Sequence, residues 1–451
     1  MVAAALGAAL GAWAAVPIPL AVAAAFVALA LSQRRGWMIV LAVGLLTSAL
    51  AARAWRGLSP PQLSSFQGVV VVVADPEIVH GVLQTVVSAQ GRRLEVSARG
   101  ELAWQLRDRQ VGDHVQVAGT ISPLGMSQRR RLGWKHIAGR LTIAEVLRTQ
   151  PGAPPWVAAN AVRGLLARGS VSLPKGQRAL LAGLVLGDDR EQPAALRDAF
   201  RASGLTHLLA VSGQNVAFVL AVAGPLLQRC NGRIRWVLTI AVLALFAVVT
   251  RFEPSVIRAT LMAGLAATAT ARGRPTSGLR ILSLATVLSL VFDPLLIGRA
   301  GFQLSVLATA GILIASPAIA RKLRGPKALR LSLSVTLAAQ LATAPLLVSL
   351  FGGVPLVAVP ANLLAEPAAG AAMTYGLAGG LVAGLLGGRL AWLIHLPTRV
   401  LLWWIEEVAR RSAQAPLGQL HGAQLAVLGV IGLILLTRRY WWPAVLAWFA
   451  V

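Results

Sequence analysis

Between Gly204 and Leu220 the sequence reads GLTHLLAVSGQNVAFVL, carrying His207, Ser212, Gln214 and Asn215 straight into the apolar series Val216 to Leu227. About 20 mainly apolar residues suffice to cross a bilayer as a helix. Hydrocarbon offers no partner to an imidazole, a hydroxyl or an amide, so such a helix must turn these groups toward other helices or a wet cavity. A lone membrane anchor does not meet that requirement, and a bundle does. The rest of the chain supplies one: it is 56% hydrophobic with a mean hydropathy of +0.70, against roughly 45–50% apolar in soluble domains. The expected fold class is a polytopic α-helical membrane protein with an inserted small all-β domain.

Charge orders the helices. The net charge of +26 comes almost wholly from arginine, and it has two sources to choose from: cytoplasmic loops obeying the positive-inside rule, or a polyanionic partner. Arg229, Arg233 and Arg235 form one loop cluster. Arg272, Arg274 and Arg280 form a second, and Arg321, Lys322, Arg324, Lys327 and Arg330 a third. Placing all three in the cytoplasm makes each intervening helix pair cross out and back, with the turns near Phe252-Glu253 and Asp293 outside. Gln33-Arg34-Arg35 likewise puts the start of the span Trp37–Ala52 inside and its end outside. Upstream, Pro17-Ile18-Pro19 breaks the apolar residues 2–31 and favours a hairpin of two short helices, because proline removes a backbone donor. The apolar start lacks the basic region of a signal peptide. The single cysteine, Cys230, permits no internal disulfide and reads as an inert thiol.

From Arg53 to Gln150 the pattern changes to short β-rich runs: Gly68–Ala74, Val82–Ala89, Arg92–Ala98, His114–Ile121 and Arg140–Leu147. Five short strands predict a small antiparallel barrel, for which the OB-fold is the natural candidate. Arg92, Arg93, Arg99, Arg107, Arg109, Arg129, Arg130, Arg131, Lys135 and Arg140 make the segment basic, with Trp104 and Trp134 among them. Arginines that track phosphates beside rings that stack bases are how single-stranded nucleic acid is held. A solvated basic surface over core tryptophans fits the same residues. Residues 151–203 read as a Pro/Gly-punctuated connector, with Ala179–Gly187 too short to span and placed at an interface or as a re-entrant segment. The expected divisions are thus residues 1–52, 53–150, 151–203 and 204–451.

Toward the C-terminus Pro355, Pro360 and Pro367 interrupt an apolar stretch holding Asn362 and Glu366, as in broken helices that line a cavity. Leu396–Ser412 is amphipathic, and a final span is expected from Ala423 to Leu436. Within the apolar segments stand His207, Ser212, Gln214, Asn215, Arg258, Arg299, Gln303, Gln340, Asn362 and Glu366. Serines and glutamines there often only join helices. A centrally placed Arg258 costs at least ~2.5–3.5 kcal/mol in lipid and must face a partner, water or an anion, with Glu366 a candidate counter-ion. The six histidines are scattered with no HxH or HExxH spacing, and no GxxxxGK[ST] loop occurs. Neither a metal centre, a cofactor site nor a nucleotide motor is therefore expected, and the chain reads as a non-enzyme.

The segments Ala182–Arg190 (AGLVLGDDR), Gly204–Asn215 (GLTHLLAVSGQN), Pro254–Thr260 (PSVIRAT), Asp293–Ile312 (DPLLIGRAGFQLSVLATAGI) and Thr343–Pro367 (TAPLLVSLFGGVPLVAVPANLLAEP) together resemble the ComEC family of bacterial competence. They occur in family order across the membrane part, and Arg53–Gln150 resembles the family's external OB-like domain. The resemblance implies a multi-pass protein of the bacterial cytoplasmic membrane, passing one strand of incoming DNA through the lipid bilayer, with residues 53–150 extracytoplasmic. On that footing His207, Ser212, Gln214, Asn215, Arg258, Gln303, Asn362 and Glu366 are expected to line or shape the passage. Arg92, Arg93, Trp104, Arg107, Arg109, Arg129, Arg130, Arg131, Trp134 and Lys135 are expected to gather the strand outside. A polyanion entering a negative-inside cell moves against about 2.3 kcal/mol per charge per 100 mV, so a separate cytoplasmic helicase-like ATPase is implied as the motor. A DNA receptor protein and a separate nuclease complete the implied partners, since the chain carries no HxHxDH motif of the family's metallo-β-lactamase-like domain. It departs from many relatives in having Asn215 where they have histidine. Two other classes stay open on the residues: a small-solute secondary transporter, and a membrane scaffold without a pore.

Overall fold

The computed structural model describes residues 1–33, 35–209, 211–422 and 424. The expected span Ala423–Leu436 lies outside the described residues apart from Gln424. In chain order the helices are α1 (Val2–Ala14), α2 (Leu20–Gln33), α3 (Gly36–Gly57), α4 (Gly100–Arg107), α5 (Met126–Gly133) and α6 (Pro154–Gly169). Then come α7 (Lys175–Leu186), α8 (Ala194–Ala202), α9 (Thr206–Leu209), α10 (Gly213–Leu227), α11 (Gly232–Val249) and α12 (Pro254–Ala271). The remainder are α13 (Gly278–Phe292), α14 (Ala300–Lys322), α15 (Lys327–Phe351), α16 (Ala358–Leu386), α17 (Gly388–Ile394) and α18 (Leu396–Ala413). Among the described residues five helices, α3, α11, α14, α15 and α16, are long and apolar enough to cross a membrane. The protein is a multi-pass membrane protein.

Two compact units divide the chain: Met1–Pro193 with His207–Val306 and Ala368–Trp403, and Ala194–Thr206 with Leu307–Pro367 and the residues from Trp404 onward. In the first unit α1 ends before the Pro17-Ile18-Pro19 turn and α2 begins after it, as the prolines predict. Glycine permits the packing that follows. A Cβ on Gly11 would run into the Gly44 carbonyl, and one on Gly7 would lie 2.8 Å from the Val40 carbonyl. Small residues thus bring α1 and α3 backbone to backbone, the usual way helices associate in lipid. Thr47 Oγ1 donates to the Ala8 carbonyl at 3.0 Å across this contact.

The β segment has six strands rather than five: β1 (Ser64–Val72), β2 (Glu77–Val79), β3 (Val82–Ala89), β4 (Arg92–Ala98), β5 (His114–Pro123) and β6 (Ile137–Gln150). The extra one, β2, is three residues long and pairs only with β3, too short to show a period in the sequence. The order is β1-β5-β6-β4-β3-β2, and a further β1–β3 pairing closes five of the strands into a ring. All pairings are antiparallel except β4 with β6. Alternate residues face inward, giving a core that includes Val70, Leu83, Leu94, Val96, Val117 and Leu141. Helix α3 runs on to Gly57, and the first strand begins at Ser64.

The connector is helical. Helix α7 buries Ala179, Leu180, Leu181 and Gly183–Leu186 within the protein. In the second unit a Cβ on Gly311 would lie 2.6 Å from the Ala338 carbonyl, so α14 and α15 pack closely there. Ser316 and Ser334 meet at 3.0 Å inside that contact. The short strands β7 (Val354–Pro355) and β8 (Gln419–Leu420) pair antiparallel.

Candidate functional site

Two turns of the helical part of the first unit hold the β ring. The α11–α12 turn puts Arg251 and Phe252 in the left-handed region, at φ 57° and 54°. That conformation is disfavoured for side chains of this size and persists only where neighbours hold it. Here Arg251 forks onto Asp75, with Nε to Oδ2 and Nη2 to Oδ1 both at 2.9 Å. Phe252 meets Trp156 edge-on at 6.0 Å between ring centroids. The second contact is the Asp293–Arg299 turn. His136, itself at φ 63°, bonds Asp293 Oδ1 through Nε2 at 2.8 Å, and Arg299 Nε donates to the Trp134 carbonyl at 2.9 Å. A Cβ at Gly298 would enter the Trp134 ring. The turns near Phe252-Glu253 and Asp293, read from charge as sharing one side with the β domain, both touch it.

The first contact is the centre of a buried ionic cluster that the sequence did not single out. Arg163 on α6 reaches Asp188 Oδ2 at 2.8 Å and Asp75 Oδ2 at 3.2 Å. Arg190 holds Asp188 through Nε at 2.7 Å and donates through Nη1 to the Pro76 carbonyl at 2.9 Å. Arg163 also donates to the Val249 carbonyl at 3.1 Å, and the Asp75 carboxylate accepts from Val111 N at 3.1 Å. The side chains of Arg163 and Asp75 are only 8% and 10% exposed. Burial works to raise the Asp75 carboxyl, and Arg163, Arg251 and Arg190 outweigh it, holding the group below its ordinary range. Asp188 is held down in the same way, chiefly by Arg190 and Arg163 against burial. Three guanidiniums and two carboxylates therefore tie the β ring, the connector and the α11–α12 turn together. The AspAspArg tripeptide after α7 was the one local signal that could have pointed here.

The Gly204 segment is not one helix. Helical structure stops at Leu209 and resumes at Gly213, with Ser212 extended at φ −99° and ψ 165°. This corrects the single span expected from the apolar run, and the break is held from several sides. Asn215 Nδ2 donates to the Leu184 carbonyl at 2.6 Å and its Oδ1 accepts from Ser212 Oγ at 3.1 Å. Ser255 Oγ donates to the Val211 carbonyl at 2.6 Å. Gly187, left-handed at φ 71°, sits where a Cβ would lie 2.5 Å from Val211 Cγ2, so the loop of the ionic cluster and the helix break lean on each other.

Arg258 stands beside this break. Its Nε donates to Ser305 Oγ at 2.9 Å and Nη1 lies 3.1 Å from the Met262 sulfur. The residue is 5% exposed. It is not central in its helix: α12 begins at Pro254, and four residues at ~1.5 Å each put Arg258 about one turn from the end nearest the β ring. Its guanidinium closes on Gly213, where a Cβ would lie 2.6 Å from Nη2. Gly213→Ala is expected to displace that guanidinium and cost about 1–3 kcal/mol, as overpacking does, read as a fall in thermal midpoint of the detergent-solubilised chain.

Ser212, Asn215 and Arg258 come together, with Ser305 added. Gln303 spends Nε2 on the Ile297 carbonyl at 2.6 Å. His207 and Gln214 are exposed. Asn362 is 5% exposed and Glu366 half-buried, and both belong to the second unit. The expected strand-gathering residues fall into two groups. Arg92, Arg93, Arg129, Arg130, Arg131 and Lys135 are exposed around α5 and the start of β4, whereas Trp104, Arg107 and Arg109 lie on or after α4, beyond the end of β4. Seven residues of strand at ~3.3 Å each separate the two. Trp104 is 72% exposed with the Arg107 guanidinium 5.5 Å from its ring centre. Trp134 packs edge-on against Trp55 at 4.8 Å, so its ring is committed to holding the domain in place.

The family model described as Competence protein matches residues 184–443, more than half of the 451 residues. The chain is 32% identical over 217 residues to ComE operon protein 3 of Bacillus subtilis (strain 168), an alignment covering 48% of this chain and 27% of that protein. The chain therefore matches little more than a quarter of that relative's length. No solved structure matches it.

Proposed function

The chain belongs to the competence protein family, the ComEC family that its motifs resemble, and we propose that it is a membrane channel passing single-stranded DNA across the cytoplasmic membrane during DNA uptake. One observation carries the reading beyond the family: a buried arginine, a helix break and three hydroxyl or amide side chains form a layer about one turn from the end of the bundle that holds a basic β domain. A helix N-terminus next to a guanidinium suits phosphate, because backbone N–H groups and the helix dipole both favour negative charge. The β domain is an OB-like module on the outer side. Its ring, with strands renumbered 1 to 5 in chain order, closes as 1-2-3-5-4-1 with strands 3 and 5 parallel and a helix between 3 and 4, which supports that assignment. The strand is gathered by the exposed arginines of α5 and by the Trp104–Arg107 pair, and the ionic cluster keeps the module seated over the layer.

The chain does no catalysis in this scheme. A cytoplasmic helicase-like ATPase pulls the strand against the membrane potential, a DNA receptor delivers it and a separate nuclease removes its complement. The full chain in nanodiscs should bind a labelled single-stranded oligonucleotide with an affinity that falls steeply with salt. Replacing Arg129, Arg130 and Arg131 together by Gln should flatten the slope of log affinity against log salt by about 2, at ~0.7 per phosphate contact. Trp104→Ala should cost about 1–3 kcal/mol of binding. Salt-independent binding, or none, would leave a small-solute carrier or a poreless scaffold as the better account.

A further inference from the structure

The three N-terminal helices carry a feature that the DNA reading does not use. Helices α1 and α2 have 13 and 14 residues, a rise of about 20 Å each at ~1.5 Å per residue, against a hydrocarbon core of about 30 Å. Helix α1 runs parallel to the first half of α3, with Gly7 on Val40, Gly11 on Gly44 and Val16 N donating to Ser48 Oγ at 2.8 Å. Helix α3 has 22 residues and continues past the α1–α2 turn. On that overhang stand Arg53 and Arg56. Together with the turn Pro17–Leu20 they bound a groove of about 710 Å³ that opens to the outside.

Both arginines are exposed, and neither meets a carboxylate among the described residues. Arg56 spends Nε on the Ala52 carbonyl at 3.4 Å, leaving its terminal nitrogens for another acceptor. Below the groove the hairpin is coated with apolar side chains: Leu6, Leu10 and Val22 are 61%, 68% and 45% exposed. Trp13, 71% exposed, precedes the turn, and amphipathic rings favour the headgroup level. A hairpin shorter than the hydrocarbon thickness draws the bilayer surface down to its own turn. At that depth a phosphodiester finds two guanidiniums that meet no carboxylate among the described residues, while its acyl chains lie along the leucines.

We infer that this groove binds the phosphate headgroup of an anionic phospholipid, held by Arg53 and Arg56. Lipid is the occupant favoured over a nucleic acid because the same hairpin whose turn lines the groove exposes Leu6, Leu10 and Val22, and an acyl chain covers such side chains where a polynucleotide would not. The site stands independently of the DNA reading.

The test uses the full chain purified from nanodiscs containing equal phosphatidylglycerol and phosphatidylcholine, with retained lipid counted by native mass spectrometry. The wild type should retain phosphatidylglycerol preferentially. Arg53→Gln with Arg56→Gln should lower its affinity for that lipid by roughly tenfold or more, at ~1 kcal/mol per basic residue near an anionic surface, with the thermal midpoint in detergent unchanged. The control, Arg129→Gln with Arg130→Gln, removes equal charge from α5 and should leave retention as it was. Equal retention of the two lipids by the wild type, or equal loss in the control, would overturn the inference. So would displacement of the retained lipid by a single-stranded oligonucleotide, which would give the groove to nucleic acid.

Discussion

Arg258→Leu is expected to lower DNA uptake to the background of a deletion strain while DNA held at the cell surface stays at the wild-type level. The guanidinium is buried, donates to Ser305 Oγ at 2.9 Å and lies against Gly213 at the start of α10. Leucine fills much of the same volume without a charge. Removing one partner of a buried hydrogen bond costs about 1–3 kcal/mol, so the thermal midpoint should fall by no more than that loss implies, and membrane insertion is measured beside uptake. Loss of uptake in a folded, correctly inserted protein then belongs to the passage of the strand. Arg258→Lys provides the graded case. Ammonium keeps the charge but lacks the planar fork that reaches Ser305, Met262 and the Gly213 face at once, so uptake between the two extremes is expected. Transformation frequency and labelled DNA recovered from the cytosol, in a deletion strain complemented with each variant, give the readout. Wild-type uptake in Arg258→Leu would remove this side chain from the mechanism.

Asp75→Ala is expected to cost about 3–5 kcal/mol, because it leaves Arg251 buried without a carboxylate and takes one of two from Arg163. Arg251 Nη1 already lacks a hydrogen-bond partner among the described residues, so the turn has no spare acceptor to turn to. Arg251, left-handed at φ 57°, loses the contact that holds it, and the β ring loses one of its two seats. Glu95→Ala is the contrasting case. It breaks only the pair with Arg140, whose side chain is 38% exposed, and exposed pairs are worth about 0–1 kcal/mol. Thermal unfolding in detergent and protease cleavage between the β ring and the helices should both respond to the first substitution and barely to the second. The pH dependence follows from the sign of the shifts. Asp75 and Asp188 are both held below their ordinary values, so the cluster's contribution is complete above an unfolded carboxyl value of about 3.9. It is lost as pH falls through the lower, folded values. Midpoints should therefore be insensitive to these groups from pH 8 to 5 and drop below about pH 4, with Asp75→Ala flattening that acid limb. An unchanged acid limb in the variant would show that the clamp contributes little to stability.

Particular segments show how far the sequence reached. The prolines at 17 and 19 announced the break between α1 and α2, because a missing donor acts on its own helix. Strands β3, β4 and β5 started where alternation began, whereas β2 has three residues and no period to read. The run Gly204–Leu227 was read as one span because hydropathy averages over the break. What breaks it is the demand of Leu184 and Val211 carbonyls for Asn215 and Ser255, partners supplied from elsewhere in the chain. Trp134, expected among the strand-gathering residues, packs where Gly298 and Trp55 close on its ring. Composition cannot tell an exposed tryptophan from a packed one.

From its residues alone this chain fixed its solvent, the apolar length of its longer helices, the presence of a β segment and the family to which it belongs. All of these rest on apolar length, proline and charge counted along short windows, which act over a few residues of backbone. Only the fold decided that Asp75 and Arg251, separated by 176 positions, share a buried cluster, that the β ring closes through β1 and β3, and that Arg258 lies near one end of its helix rather than at its middle. Those outcomes depend on which groups meet once apolar surfaces are buried, and the energy of a buried charge is set by its neighbours in space, which no window along the chain contains.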